Sequence, residues 1–207
     1  MRKYFVIINY IGNLKSVENA FKNRGAEVYV TDSIRKIKNA TGIVLPGVGA
    51  FGAGMKNLEK HNLIDLIIKE IEKGKPFLGI CLGLQLLFEK SEETPDVKGL
   101  SIFKGEVKKF KIKDLKIPHL GWNQIEIKKR SPLLKGIKNK SFFYFVHSYF
   151  VEPEEKDIIM CTTNYGKEFV TGVWKENVFG VQFHPEKSQD NGLKLIENFI
   201  EFAKLEG

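Results

Sequence analysis

Cysteine is nearly absent from this chain, and its scarcity excludes a class of small secreted folds. Two cysteines in 207 residues, Cys81 and Cys161, cannot build a disulfide framework, so a reducing cytoplasm is expected. Histidine is as sparse, with four residues, and no C-x-x-C or H-E-x-x-H spacing occurs, so no metal site is expected. No apolar run approaches the roughly 18 residues that would suggest a membrane span. Arg2 and Lys3 do precede an apolar run from Tyr4 to Ile8, but that run is too short for a signal peptide, soon meets Asn9 and Asn13, and lacks a small-residue cleavage site. Arginine is rare although the formal net charge is +8. The clustered lysines, Lys108, Lys109, Lys111, Lys113 and Lys116, alternate with Phe110, Ile112 and Leu115 as on an exposed hairpin, and Lys128 and Lys129 adjoin Arg130. They lack the forked donors and stacking rings that nucleic-acid sites favour. Neither membrane nor nucleic acid is expected as a partner. With no linker, repeat or low-complexity tract, residues 1–207 read as a single domain with a substantial core.

Apolar periodicity supplies the fold class. Tyr4 to Ile8 is a buried strand, followed by Asn13 as N-cap and a helix with Leu14, Val17 and Phe21 inward, ending near Gly25. Ala26 to Thr31 and Gly42 to Leu45 are strands, and Ile34 to Asn39 a brief helix between them. Asn62 to Lys73 repeats helical spacing through Leu63, Leu66, Ile67 and Ile71, closed by Gly74. This cadence predicts an α/β fold whose mostly parallel central sheet is flanked by helices. From Gly99 to Trp174, short alternating runs broken by Gly, Pro and charged turns predict antiparallel strands appended to that sheet. Val178 to His184 is the last strand, and a helix with Leu193, Ile196, Ile200 and Ala203 on one face closes the chain.

The chemistry centres on Lys75 to Lys90, KPFLGICLGLQLLFEK. Pro76 to Ile80 has strand character and Leu82 to Phe88 helical spacing, which puts Cys81 on a sharp strand-to-helix turn with Gly79 and Gly83 two positions to either side. Such a turn brings backbone so close that side chains at both glycine positions would clash, and it exposes a nucleophile. A helix N-terminus favours thiolate and aims the Leu82 N–H at an oxyanion formed beside the sulfur. A lone cysteine in an apolar run is otherwise a small hydrophobe. The second half of the argument is Gly180-Val181-Gln182-Phe183-His184-Pro185-Glu186, where an apolar strand ends in His-Pro-Glu. His184 can take the thiol proton, and Glu186, two residues on and on the same face of an extended chain, can orient the imidazole. Pro46 to Gly52 contains G-x-G-x-x-G, yet no acidic residue ends a strand some twenty positions later, so a dinucleotide cofactor is not expected. His147 alternates with core positions and reads as packed.

GICLGLQLLFE with GVQFHPEKS resembles the class I (triad) glutamine amidotransferases, whose Cys, His and Glu occur in this order. PGVGAFG at 46 to 52, PHLGWN at 118 to 123 and FVHSYF at 145 to 150 resemble the glutaminase subunits of imidazole glycerol phosphate synthase. The resemblance spans about residues 4 to 200 and implies a flavodoxin-like core. It implies Cys81 as nucleophile, His184 and Glu186 as its partners, and Val48 and Leu82 as oxyanion donors. It further implies that Gly49, Gln85, Glu93, Ser148 and Tyr149 contact glutamine, and that Trp122, Asn123 and Lys187 belong to an interface and ammonia gate. No cofactor is implied. The implied partner is a cyclase subunit, a (β/α)8 barrel, in a heterodimer that consumes the ammonia. Glutaminases serving anthranilate, aminodeoxychorismate, formylglycinamidine or pyridoxal phosphate synthesis are the alternatives, and PGVGAFG and PHLGWN speak against them. A silent regulatory module of the same fold and a papain-like protease are the readings from other classes.

Overall fold

The computed structural model describes residues 3–8, 14–112 and 115–206. The expected N-cap at Asn13 and the expected exposed Lys113 lie outside these residues. In the first half, strands and helices alternate as β1 (Tyr4–Ile8), α1 (Leu14–Lys22), β2 (Glu27–Thr31), α2 (Ile34–Asn39), β3 (Gly42–Gly47), α3 (Phe51–Lys60), α4 (Ile64–Glu72), β4 (Phe77–Cys81) and α5 (Leu82–Gln85). The second half is mostly strand: β5 (Phe88–Ser91), β6 (Phe103–Lys109), β7 (His119–Gln124), β8 (Glu126–Ile127), β9 (Phe142–His147), β10 (Tyr149–Pro153), β11 (Ile159–Asn164), β12 (Glu168–Lys175) and β13 (Val178–Val181). Helix α6 (Gln189–Glu206) follows.

The path of the large sheet is β2-β1-β3-β4-β13-β12-β10-β6-β5. Its first five strands pair in parallel, and β12, β10 and β6 continue it in antiparallel, as the change of pattern after Gly99 predicts. Strands β7 and β9 form a separate two-stranded sheet. Two apolar cores cover the two faces of the large sheet. Along β1, Phe5 and Ile7 enter the core that includes Phe21 of α1 and Phe199 of α6, while Val6 and Ile8 enter the one that includes Leu58 of α3 and Ile67 of α4. All four β1 side chains are fully buried. Burying each such side chain stabilises by about 1.5–3 kcal/mol, which anchors β1 between the two cores.

Two elements end earlier than periodicity suggests, and one was not foreseen. The helix expected over Leu82 to Phe88 stops at Gln85, and Phe88 opens a strand. The Leu86 carbonyl accepts from Leu100 N–H, and the Leu87 carbonyl from Ile102 and Phe103 N–H, so long-range partners replace the helical ladder. Leu84, Leu87 and Phe88 are all buried, which is why their spacing imitates a longer helix. The last strand ends at Val181, short of the expected His184. Gln182 N–H still reaches Thr171 O on β12, but His184 N–H turns to Tyr144 O on β9, so the chain crosses from one sheet to the other. Helix α3 starts inside what reads as a glycine loop.

Candidate active site

Cys81 stands where β4 meets α5, with φ 54° and ψ −105°, a strained conformation for a non-glycine residue. Two glycines make the turn possible. A Cβ on Gly83 would lie 1.7 Å from Leu45 O, and one on Gly79 would lie 2.6 Å from Gly83 O. Helix α5 has only four residues, too few for a sizeable macrodipole, so what it offers an oxyanion is the free N–H of its first residue, Leu82.

The histidine approaches from the other sheet. His184 is the residue before a single 3-10 turn, Pro185–Lys187, so the His184 and Glu186 side chains meet by local winding, not along an extended strand as expected. His184 Nδ1 lies 2.8 Å from Glu186 Oε1, with both side chains almost fully buried. Strand β9 grips this turn: Ser188 Oγ donates to His184 O at 2.6 Å and accepts from Tyr144 N–H at 2.9 Å. His184 Nε2 is buried and has no hydrogen-bond partner, and the Cys81 sulfur is near enough to influence the imidazole. Burial opposes charging this imidazole. The charge and hydrogen-bonding of Cys81, together with those of Glu186, outweigh burial and raise the pKa to about 10.

A cavity of about 430 Å³ opens onto this sulfur. It is lined by Val48, Gly49, Cys81, Leu82, Gln85, Glu93, Ser148 and Tyr149 among others, so eight of the residues singled out from sequence meet in one place, while His184 and Glu186 are not part of its lining. Gly49 has φ +102°, which glycine adopts without strain and which places the 48–50 backbone along the cavity wall. Glu93 Oε2 accepts from Phe51 N–H at 2.7 Å, and Thr94 Oγ1 accepts from Gly52 N–H at 3.0 Å, so this acidic loop holds the N-terminus of α3 and the glycine segment before it. Burial, and then the Glu93 and Glu92 charges, raise the pKa of the Tyr149 hydroxyl. A larger cavity of about 720 Å³, between β10 and β12, includes Phe150, Phe169 and Lys167 but no cysteine or histidine, and chemistry is not assigned to it.

The residues expected at an interface divide. Trp122 is exposed on β7 beside Leu120 and opposite Tyr144, with Phe142 exposed near the end of β9, so an apolar face adjoins the cavity. Lys187 Nζ lies 5.7 Å from the Tyr144 ring centroid on the same side. Asn123 points to the opposite face of β7, where it hydrogen-bonds Asn164 O and the His119 ring. Sequence reasoning missed Gln182, whose Nε2 donates to Cys81 Sγ at 3.6 Å, and His119, which touches His147. Gln182 stands two residues before the His-Pro-Glu motif, in the stretch from Gly180 to Glu186 already singled out. The available signal was an amide inside an apolar strand two residues before His184.

The chain belongs to the class-I glutamine amidotransferases: the family model described as "Glutamine amidotransferase class-I" matches residues 5–202. Within that class it has relatives of high identity that are named as subunits of one synthase. It is 55% identical over 196 residues to imidazole glycerol phosphate synthase subunit HisH of Aquifex aeolicus (strain VF5), covering 94% of each chain. It is also 55% identical over 190 residues to the subunit of that name in Pyrococcus furiosus, covering 91% of this chain and 93% of the other. Among solved structures, one titled "Crystal structure of glutamine amidotransferase" superposes with a TM-score of 0.77 at 17% identity, covering 97% of this chain and 98% of its own, a likeness of fold.

Proposed function

We propose that this chain is the glutaminase subunit of an imidazole glycerol phosphate synthase and acts as one domain in the reducing cytoplasm, which keeps Cys81 free. Cys81 attacks the side-chain amide of glutamine, and the Leu82 and Val48 N–H groups hold the tetrahedral oxyanion. His184 protonates departing ammonia and then activates the water that releases glutamate, with Glu186 fixing its orientation. Gly49, Gln85, Glu93, Ser148 and Tyr149 bind the substrate, Glu93 through its amino group. The observation that carries this reading is the buried His184–Glu186 pair, its imidazole pKa raised to about 10, beside a sulfur that opens onto a cavity.

Ammonia protonates in water and diffuses away, so it must leave under cover. The apolar face of Leu120, Trp122, Phe142 and Tyr144 beside the cavity suits a docked partner, and Lys187 over Tyr144 suits a gate at the exit. The partner is a cyclase subunit, a (β/α)8 barrel. It combines the ammonia with a phosphoribulosyl formimino carboxamide nucleotide to give imidazole glycerol phosphate and an aminoimidazole carboxamide ribonucleotide, a step of histidine biosynthesis. Glutaminase assays of Cys81→Ala in the assembled enzyme test the covalent step. A loss of at least about a thousandfold is expected, and activity above that level contradicts a thioester route.

A further inference from the structure

Behind β7 lies a polar chain, half-buried at Asn123 and buried at its two histidines, and those histidines have no part in the mechanism above. It begins at Asn123, whose amide orientation is fixed twice: Nδ2 donates to Asn164 O at 2.9 Å, and Oδ1 accepts from Gln124 N–H at 2.8 Å. The nitrogen of that amide therefore faces His119 Nε2, at 3.2 Å, as a donor. An acceptor at Nε2 puts the His119 proton on Nδ1, which lies 3.1 Å from His147 Nε2. His147 then carries its own proton on Nδ1, 2.7 Å from Tyr149 O. The far end gives the same answer independently, because a carbonyl only accepts. Both rings are buried, His119 stacked between Phe145 and Tyr165 with centroids at 4.8 and 4.1 Å, and desolvation keeps both neutral, at about 4 for His119 and about 3 for His147.

The chain continues from Tyr149 O to the nucleophile. Gln85 Nε2 donates to Tyr149 O and to Gln182 Oε1, each at 3.2 Å. Gln182 Nε2 then donates to Cys81 Sγ at 3.6 Å. Alternation along β7 sends Leu120 and Trp122 outward while His119 and Asn123 face inward, so displacement of this strand moves the first link directly.

We propose that His119 and His147, locked as Nδ1–H tautomers, are positioning residues in a hydrogen-bond relay in which a donor run from Asn123 ends on Tyr149 O and a second run from Gln85, held by that same carbonyl, reaches Cys81 through Gln182, so that contact on the outer face of β7 sets the thiol for attack. The site of that contact rests on the docking reading above; the tautomers do not. The donor run from Asn123 to Tyr149 O transmits position because reversing one of its links leaves two acceptors face to face at the next, and the carbonyl so held anchors the Gln85 amide.

Two measurements test it. Nitrogen-15 spectra of histidine-labelled chain, without partner at neutral pH, are expected to show pyrrole-type Nδ1 and pyridine-type Nε2 in both rings; Nε2–H in either overturns the relay. In the assembled enzyme, His119→Phe keeps a ring among its aromatic neighbours but removes both links. It is expected to lower kcat for glutamine about tenfold, with KM and partner affinity within about threefold. His119→Asn, which retains a donor near the Nδ1 position, is expected to recover most of the loss. A kcat within twofold of wild type in the His119→Phe complex overturns the proposal. Should that variant not fold, Asn123→Ala removes only the first link and is expected to lower kcat about threefold, and an unchanged kcat is the contrary result. Wild-type turnover that ignores the partner altogether contradicts the docking reading and leaves the tautomer result standing by itself.

Discussion

His184 and His147 are both buried, and their surroundings drive them to opposite charge states. Burial resists charging both rings, but His184 faces Cys81 and Glu186, which raise its pKa to about 10, whereas His147 faces a second neutral ring and a carbonyl and its pKa falls to about 3. Two buried histidines of one site are thus held in opposite states, one favoured as imidazolium and one kept neutral. A pH dependence of stability follows from the neutral pair. Unfolded, His119 and His147 bind protons near the ordinary 6.5; folded, they do so only near 4 and 3. The unfolded chain therefore takes up more protons between those values, and stability is lost as pH falls from about 6.5 toward about 4. Urea midpoints measured at pH 7 and pH 5 are expected to drop on acidification, and to drop less in His119→Phe. Equal slopes for wild type and variant would show that His119 is not held neutral in the fold.

At the scale of the element, the elbow between β4 and α5 depends on backbone packing. The Gly83 position touches Leu45 O on β3, a group that cannot move without opening the sheet. Gly83→Ala is expected to cost at least about 4 kcal/mol, or roughly 8–16 °C of melting temperature in a chain of this length. A melting temperature within about 2 °C of wild type would mean that the turn is looser than described. The elbow was legible in sequence because glycines at fixed offsets around a cysteine carry a steric meaning by themselves. The length of α5 was not, because Leu84, Leu87 and Phe88 are buried for reasons that helical spacing imitates and that only the long-range partners of the Leu86 and Leu87 carbonyls resolve. His184 and Glu186 were legible as a pair, but their meeting through a 3-10 turn was not, since Pro185 suits an extended chain as well as a first helical position. The Asn123 to Cys81 relay draws residues from four separate segments, a proximity that no local pattern encodes.

For the whole molecule, the parallel half of the sheet and the antiparallel addition have separate tasks. The parallel strands hold Cys81 at the end of β4 and bring β13 beside it. The small β7–β9 sheet grips the His184 turn on one side and presents Trp122 and Leu120 on the other. A partner seated on that outer face would touch the strand that starts the relay and lie beside the cavity from which ammonia leaves. No helix among the described residues is long and apolar enough to cross a membrane. Cys161 is fully buried and its thiol is pushed up to about 12, so it cannot compete as a nucleophile. Reaction of the assembled enzyme with a glutamine-like electrophile, followed by peptide mapping, therefore discriminates cleanly. One label per chain on Cys81, forming in step with loss of glutaminase activity and slowed by glutamine, is the expected result; loss of activity with Cys81 unlabelled would contradict a cysteine nucleophile.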